Sequence, residues 1–237
     1  MIEHTMRAFD ADLQQLASKI AKMGRLDDEQ IALATDAFVK SDEALAQRVI
    51  VVDDQIDALQ REIEEKAVTV IARRQPMGSD LREIVGALRI ANELERVGDL
   101  AENIAKRVVL LVGEVKLAEA MLPLERMAQL VREQLRSVLA SYARRDVAAA
   151  IAVWRRDQDV DALNTALFRE MLTYMMENPR NITFSTHLLF CAKNIERIGD
   201  HTTNIAEAVV YMVEGRPLVE ERPKADLTSR MVLPFSA

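Results

Sequence analysis

The chain has 237 residues, 49% of them apolar, with seven Gly, six Pro and a net charge of −7. That leaves little material for a turn-rich β fold, whereas Ala, Leu, Glu, Arg and Met abound, as they do in helices. The acidic balance argues against a nucleic-acid partner, because phosphate binding needs clustered cations; it leaves metals and basic protein surfaces open.

Heptad-like spacing predicts six helices. In the first, about 6–40, Phe9, Leu13, Leu16, Ile20 and Met23 share a face that resumes at Ile31, Ala34 and Phe38, with Gly24 a weak point between. Ser41 and Asp42 are capping residues and mark a break. The second helix, about 43–74, carries a seam from Leu45 to Val70 and ends in Arg73-Arg74-Gln75-Pro76. Basic residues there suit the helix dipole, and the proline stops the helix.

Ser79 is expected to cap a third helix, whose seam from Ala87 to Leu111 alternates threes and fours until Gly113. Residues 115–121 read as a junction. A fourth helix follows at about 122–144, with Pro123 in its first turn. Asp146 caps a fifth, about 147–177, and Asn178-Pro179 separates it from a sixth, about 182–214. The tail, 215–237, has Pro217, Pro223 and Pro234 without a period and is expected to be loosely ordered.

Cys191 is the single cysteine and lies on the sixth seam, so it reads as a buried thiol in a reducing compartment. The N-terminus does not read as a signal peptide, and the longest aliphatic run, Val108 to Val112, is too short to span a bilayer. A soluble, cytoplasmic protein is expected.

The chain repeats itself. Glu95, Arg96, Gly98, Asp99, Asn103, Ile104 and Ala105 recur 101 residues later as Glu196, Arg197, Gly199, Asp200, Asn204, Ile205 and Ala206. Asp42, Asp53, Asp57, Ala58 and Leu59 recur 104 residues later as Asp146, Asp157, Asp161, Ala162 and Leu163. The expected fold is all-α: two tandem three-helix bundles related by internal duplication, 5–114 and 115–214, each with its own core.

Each half therefore carries an Asp pair on its second helix and a Glu/Asp pair on its third, four residues apart and so on one face. Helical wheels place them at or near the surface, where four carboxylates converge if the two helices are neighbours. Like charges at that spacing destabilise a helix by roughly 0.2–0.5 kcal/mol per pair, and an internal glycine by about 1 kcal/mol relative to Ala. A helix built only for stability would have neither, and converging carboxylates want a cation. Oxygen ligands favour Mg²⁺, Mn²⁺, Ca²⁺ or iron, with Zn²⁺ also accommodated. The alternative reading is a solvated acidic face, on a helical adaptor without metal.

The histidines add little: His4 is terminal, His187 lies beside the sixth seam, and His201 is at most an accessory ligand. There is no Glu-x-x-His pair, phosphate loop, nucleophile elbow or Cys-x-x-Cys, so nothing reads as an enzyme.

Glu-Arg-Val-Gly-Asp at 95–99 and Glu-Arg-Ile-Gly-Asp at 196–200 resemble the doubled signature of the PhoU family of phosphate-transport regulators. Arg-Arg-Gln-Pro at 73–76, Ser-Asp-Leu-Arg at 79–82 and Thr-Tyr-Met-Met-Glu at 173–177 extend the resemblance over about 5–214. It implies surface sites for Fe, Zn, Mn or Mg ions at Asp53, Asp57, Glu95 and Asp99, and at Asp157, Asp161, Glu196 and Asp200, with Asn103 and Asn204 as weaker candidates. It also implies a non-enzymatic negative regulator of the phosphate-starvation (Pho) regulon. Such a protein connects the ATPase subunit of the phosphate ABC transporter (PstB-like) with the phosphate sensor histidine kinase (PhoR-like), often as a homodimer, and meets the membrane only through partners. Thr203 stands where the first half has Glu102, so the two sites are expected to differ.

Overall fold

A computed structural model describes residues 2–111 and 120–220, with side chains from residue 8 onward. The helices are α1 (Ile2–Lys40), α2 (Glu43–Arg74), α3 (Ser79–Leu110), α4 (Met121–Arg144), α5 (Val147–Arg155), α6 (Asp157–Glu177) and α7 (Ile182–Glu214), with a 3-10 turn at Pro179–Asn181 before the last. No strand occurs among the described residues. Most of the expected junction, the end at Gly113 and most of the tail lie outside them, as does the His4 side chain.

The duplication shows in the turns. Ser41 and Arg145, 104 residues apart, are both left-handed, with φ 51° and 53°. After each comes an Asp whose N–H donates back across the turn, Asp42 to Ala37 at 3.0 Å and Asp146 to Ser141 at 2.9 Å. The same Asp then caps the next helix, accepting from Leu45 N at 2.9 Å and Ala149 N at 3.0 Å. One residue thus closes the helix behind it and opens the next, which folds α1 back on α2 and α4 back on α5. At α3 the expectation is off by one residue: Gly78, at φ 60°, precedes the helix, and Ser79 is its first residue.

The fifth expected helix exists but bends at Arg156, between α5 and α6. Arg156 N–H donates to Val153 O at 3.0 Å and Asp159 N–H to Arg156 O at 3.1 Å, a tightening to three-residue spacing. Buried Gln134 donates to that same Arg156 carbonyl at 3.0 Å. Its counterpart Gln30 donates to Val49 O at 3.2 Å, but α2 runs straight past it.

The core is shared between the halves, contrary to the expectation of two separate ones. Leu16, Ile20, Ile56, Ile63, Leu94 and Ile104 of the first half and Leu124, Val131, Leu188, Ile195 and Val209 of the second belong to a single buried cluster. α3 packs against α7 at the centre, and α1 against α4. At the second contact Gly24 is a point of close approach: a Cβ there would clash with Leu139 Cδ1 unless that side chain moved. Each fully buried Leu or Ile contributes about 1.5–3 kcal/mol. Truncating one at the α2–α3 contact, as in Ile56→Ala, would cost about 2–5 kcal/mol.

Polar bridges fix the halves in register. Asp28 of α1 accepts from Arg132 Nε and Nη2 of α4, each at 3.0 Å, and from Arg136 at 3.2 Å. Glu83 of α3 pairs with Arg145. Arg107 of α3 lies 4.3 Å over the Phe190 ring of α7 and 3.5 Å from His187 Nδ1.

Candidate functional site

In the first half, α2 brings Asp53 and Asp57 beside Glu95 and Asp99 of α3. All four are partly exposed, as expected. Burial, followed by the charges of Glu102, Asp99 and Asp57, pushes the Asp53 carboxyl up to about 6 despite a hydrogen bond from Gln30. Burial and then Asp99 raise Glu95 above its ordinary value, with Arg96 partly opposing them. Arg96 Nε lies 3.2 Å from Glu95 Oε2 but is not aligned to hydrogen-bond it, so that oxygen is buried and unsatisfied.

In the second half the carboxylates lie deeper than the near-surface placement expected. Asp157 and Asp161 are each 2% exposed and Glu196 is 5% exposed. The reason is local: α6 begins at Asp157 just after the tight turn at Arg156, and Asp157, Val160, Asp161 and Asn164 then fall on its inward seam. Burial raises Glu196; a 2.8 Å contact from Lys193 to Oε1 opposes this, and Asp200 and Asp161 add to it. Oε2 of Glu196 is buried without a hydrogen-bond partner.

Each glycine of the repeated motif sits under this cluster. A Cβ on Gly98 would meet Asp53 Oδ1 at 3.0 Å, Ile56 Cδ1 at 3.1 Å and Asp27 Oδ1 at 3.4 Å. At Gly199 the nearest atoms are Val131 Cγ1 at 3.6 Å, Asp157 Oδ1 at 3.7 Å and Gln134 Oε1 at 3.8 Å. A methyl group at Gly98 would require its neighbours to shift, whereas one at Gly199 would make ordinary contacts.

Asp27 of α1 is the residue that sequence reasoning missed. It is fully buried and neither carboxylate oxygen has a hydrogen-bond partner. Burial, then Asp53 and Glu95, hold its carboxyl well above the usual range. A signal was available, because Asp27 stands on the seam between Met23 and Ile31 where the spacing demands an apolar residue.

Asn204 and His201 are engaged elsewhere. Asn204 Nδ2 donates to Glu93 Oε2 at 2.9 Å and His201 Nδ1 lies 2.7 Å from the same oxygen, so both serve the seam between halves. Asn103 is exposed. Thr203 is buried and its hydroxyl donates to its own helix at Asp200 O, 2.7 Å, so it supplies no carboxylate where the first half has Glu102. Cys191 is free and buried, as expected, and burial pushes its thiol far up, so it stays protonated.

Among the described residues no three His, Cys, Asp or Glu side chains already stand close enough to chelate one ion. The residues nevertheless fit a hard cation. The donor set is all carboxylate, and buried oxygens on Asp27, Glu95 and Glu196 have no hydrogen-bond partner, although Arg96 lies beside Glu95 and Lys193 pairs with the other oxygen of Glu196. A cation would offset both the burial penalty and the mutual repulsion that raise Asp53 and Glu95.

Residues 20–108 and 124–209 each match the PhoU domain family model. A Rhizobium meliloti (strain 1021) protein described as "Phosphate-specific transport system accessory protein PhoU homolog" is 53% identical, over 96% of this chain and 96% of its own. A Caulobacter vibrioides (strain NA1000 / CB15N) protein of the same description is 46% identical, over 97% and 100%. The crystal structure of PhoU from Pseudomonas aeruginosa superposes with a TM-score of 0.83 at 37% identity, covering 88% of this chain and 100% of that one. That of the phosphate transport system regulatory protein PhoU from Streptococcus pneumoniae gives 0.81 at 28% identity, over 89% and 99%.

Proposed function

The chain belongs to the PhoU family, and on that premise we propose that it is a metal-binding, cytoplasmic negative regulator of phosphate uptake and of phosphate-starvation signalling. It links the ATPase subunit of the phosphate ABC transporter to the sensor histidine kinase and works as a homodimer. The observation that carries this reading is the match, over nearly the full length of both chains, to relatives described as accessory proteins of the phosphate-specific transport system.

The geometry supports a regulator rather than a catalyst. The chain's lone thiol is buried and held protonated, and the candidate sites consist of carboxylates without an activated nucleophile beside them. No helix among the described residues is long and apolar enough to cross a membrane, which fits a protein that reaches the transporter by docking. Metal at Asp53, Asp57, Glu95 and Asp99 would fasten α2 to α3, and at Asp157, Asp161, Glu196 and Asp200 it would fasten α6 to α7. The rival reading, a solvated acidic face, is disfavoured by Asp157, Asp161 and Glu196, which water barely reaches.

Co-purification from phosphate-replete cells should recover the transporter ATPase or the kinase. A deletion strain should express phosphate-scavenging genes in high phosphate. Normal repression in the deletion strain, with neither partner recovered, would overturn the proposal.

A further inference from the structure

The two carboxylate clusters occupy matching stations, yet beneath them the repeats diverge. In the first half the floor is Asp27; 104 residues later the same station on α4 is Val131. Both lie beside the glycine of the motif, 3.4 Å and 3.6 Å from where its Cβ would be. At this station the second cluster has a valine, with the neutral Gln134 Oε1 beside it at 3.8 Å from the Gly199 Cβ position, whereas the first has a carboxylate with no hydrogen-bond donor on either oxygen.

A buried carboxylate without a partner is unfavourable in either protonation state. Ionised, it lacks a counter-charge; protonated, it still needs an acceptor for its O–H. The fold does not let Asp27 escape. The neighbouring Asp28 is clamped by Arg132 and Arg136, and three residues back Gly24 is pressed against Leu139. The α1 turn that carries Asp27 is thus pinned to α4, which holds the side chain beside Gly98 and the Asp53 carboxylate. Nothing in the packing requires an acid there, since the other repeat fills the station with valine.

We propose that Asp27 is a ligand of the first-half cation site, so that this site draws oxygens from α1, α2 and α3 while the second draws them from α6 and α7 alone. The inference rests on the reading of the carboxylate clusters as cation sites. The first site binds a hard divalent cation more tightly, and the bound ion ties α1 to the other two helices. The second site, floored by Val131 and lacking a carboxylate at Thr203, is the weaker one.

The test uses the full-length chain, stripped of metal, and Mn²⁺ as the probe. Titration of the unsubstituted protein should show two classes of site. Asp27→Val, which copies the second repeat, and Asp27→Asn should each weaken the tighter class by about tenfold or more and leave the weaker class unchanged. Asp27→Val should melt higher than the unsubstituted chain without metal, so a loss of binding cannot be ascribed to unfolding. Hydrogen exchange supplies a second readout: Mn²⁺ should slow exchange in α1 around residue 27 in the unsubstituted protein and not in Asp27→Val. Two classes of Mn²⁺ site that both variants leave unaltered would overturn the role of Asp27 while the sites themselves stand. No Mn²⁺ binding by the unsubstituted chain would overturn the role and the cation reading together.

Discussion

Glu93 of α3 and His201 of α7 meet across the seam between the repeats, Oε2 to Nδ1, at 2.7 Å. Burial raises the Glu93 carboxyl, but the hydrogen bonds from His201 and Asn204 and the His201 charge outweigh it and bring it below its ordinary value. The first-half carboxylates Asp27, Asp53 and Glu95 all move the other way. Glu93 is therefore a structural anion with its partners in place, whereas burial and like charges disfavour ionisation of the other three.

His201→Ala should lower stability by about 1–3 kcal/mol, the usual cost of losing a hydrogen bond to a charged group at a partly buried site. Metal content should not change. Equilibrium urea unfolding and metal analysis of the same preparation check this. A fall in metal with no fall in stability would make His201 a ligand instead.

The two motif glycines should respond differently to alanine. Gly199→Ala has ordinary contact distances around the new Cβ and should gain up to about 1 kcal/mol from helix propensity. Gly98→Ala puts a methyl group 3.0 Å from Asp53 Oδ1 and 3.1 Å from Ile56 Cδ1, which should cancel that gain or reverse it. Thermal melts of the two variants should separate in this order.

Stability of the metal-free protein should depend on pH with a definite sign. The Asp53 carboxyl is raised in the folded state, to about 6. Between its unfolded and folded values the folded protein binds the extra proton, so stability falls as pH rises through that window and is lowest above pH 6. Asp27, Glu95 and Glu196 act in the same direction. Glu93 acts oppositely, its contribution being lost as pH falls through its lowered folded value. Urea midpoints should therefore rise on moving from pH 7 to pH 5, and Asp53→Asn should flatten that slope. Saturating metal should also remove it.

Much of this was legible in the chain because the duplication states it twice. Glu95, Asp99 and their counterparts 101 residues on, and the Asp pairs 104 apart, mark both helix faces without reference to coordinates. Asp27 was hidden for the converse reason. It has no repeat, its counterpart is Val131, and in the run Asp27-Asp28-Glu29 it passes for one charge among three on a solvated turn. The bend at Arg156 was hidden because neither Gly nor Pro marks it; it is fixed by the Gln134 side chain reaching the Arg156 carbonyl from another helix. The depth of Asp157 and Asp161 follows from that bend, so helical wheels drawn through a straight helix misplace them. The shared core was misjudged because seam periodicity shows that a face is buried and not which helix covers it.

The account depends on the carboxylate clusters being cation sites, and metal stoichiometry tests that most directly. The measurement is the metal-to-protein ratio, after saturation with Mn²⁺ or Fe²⁺ and removal of free ion, for the unsubstituted chain and for Asp53→Asn, Asp57→Asn, Glu95→Gln and Asp99→Gln combined. The variant should lose the metal of the first half and keep that held by Asp157, Asp161, Glu196 and Asp200. Metal should stabilise the unsubstituted chain by mass action, by about 2.7 kcal/mol at one hundred times the dissociation constant. An unchanged ratio in the variant, or no stabilisation of the unsubstituted chain by metal, would contradict the account.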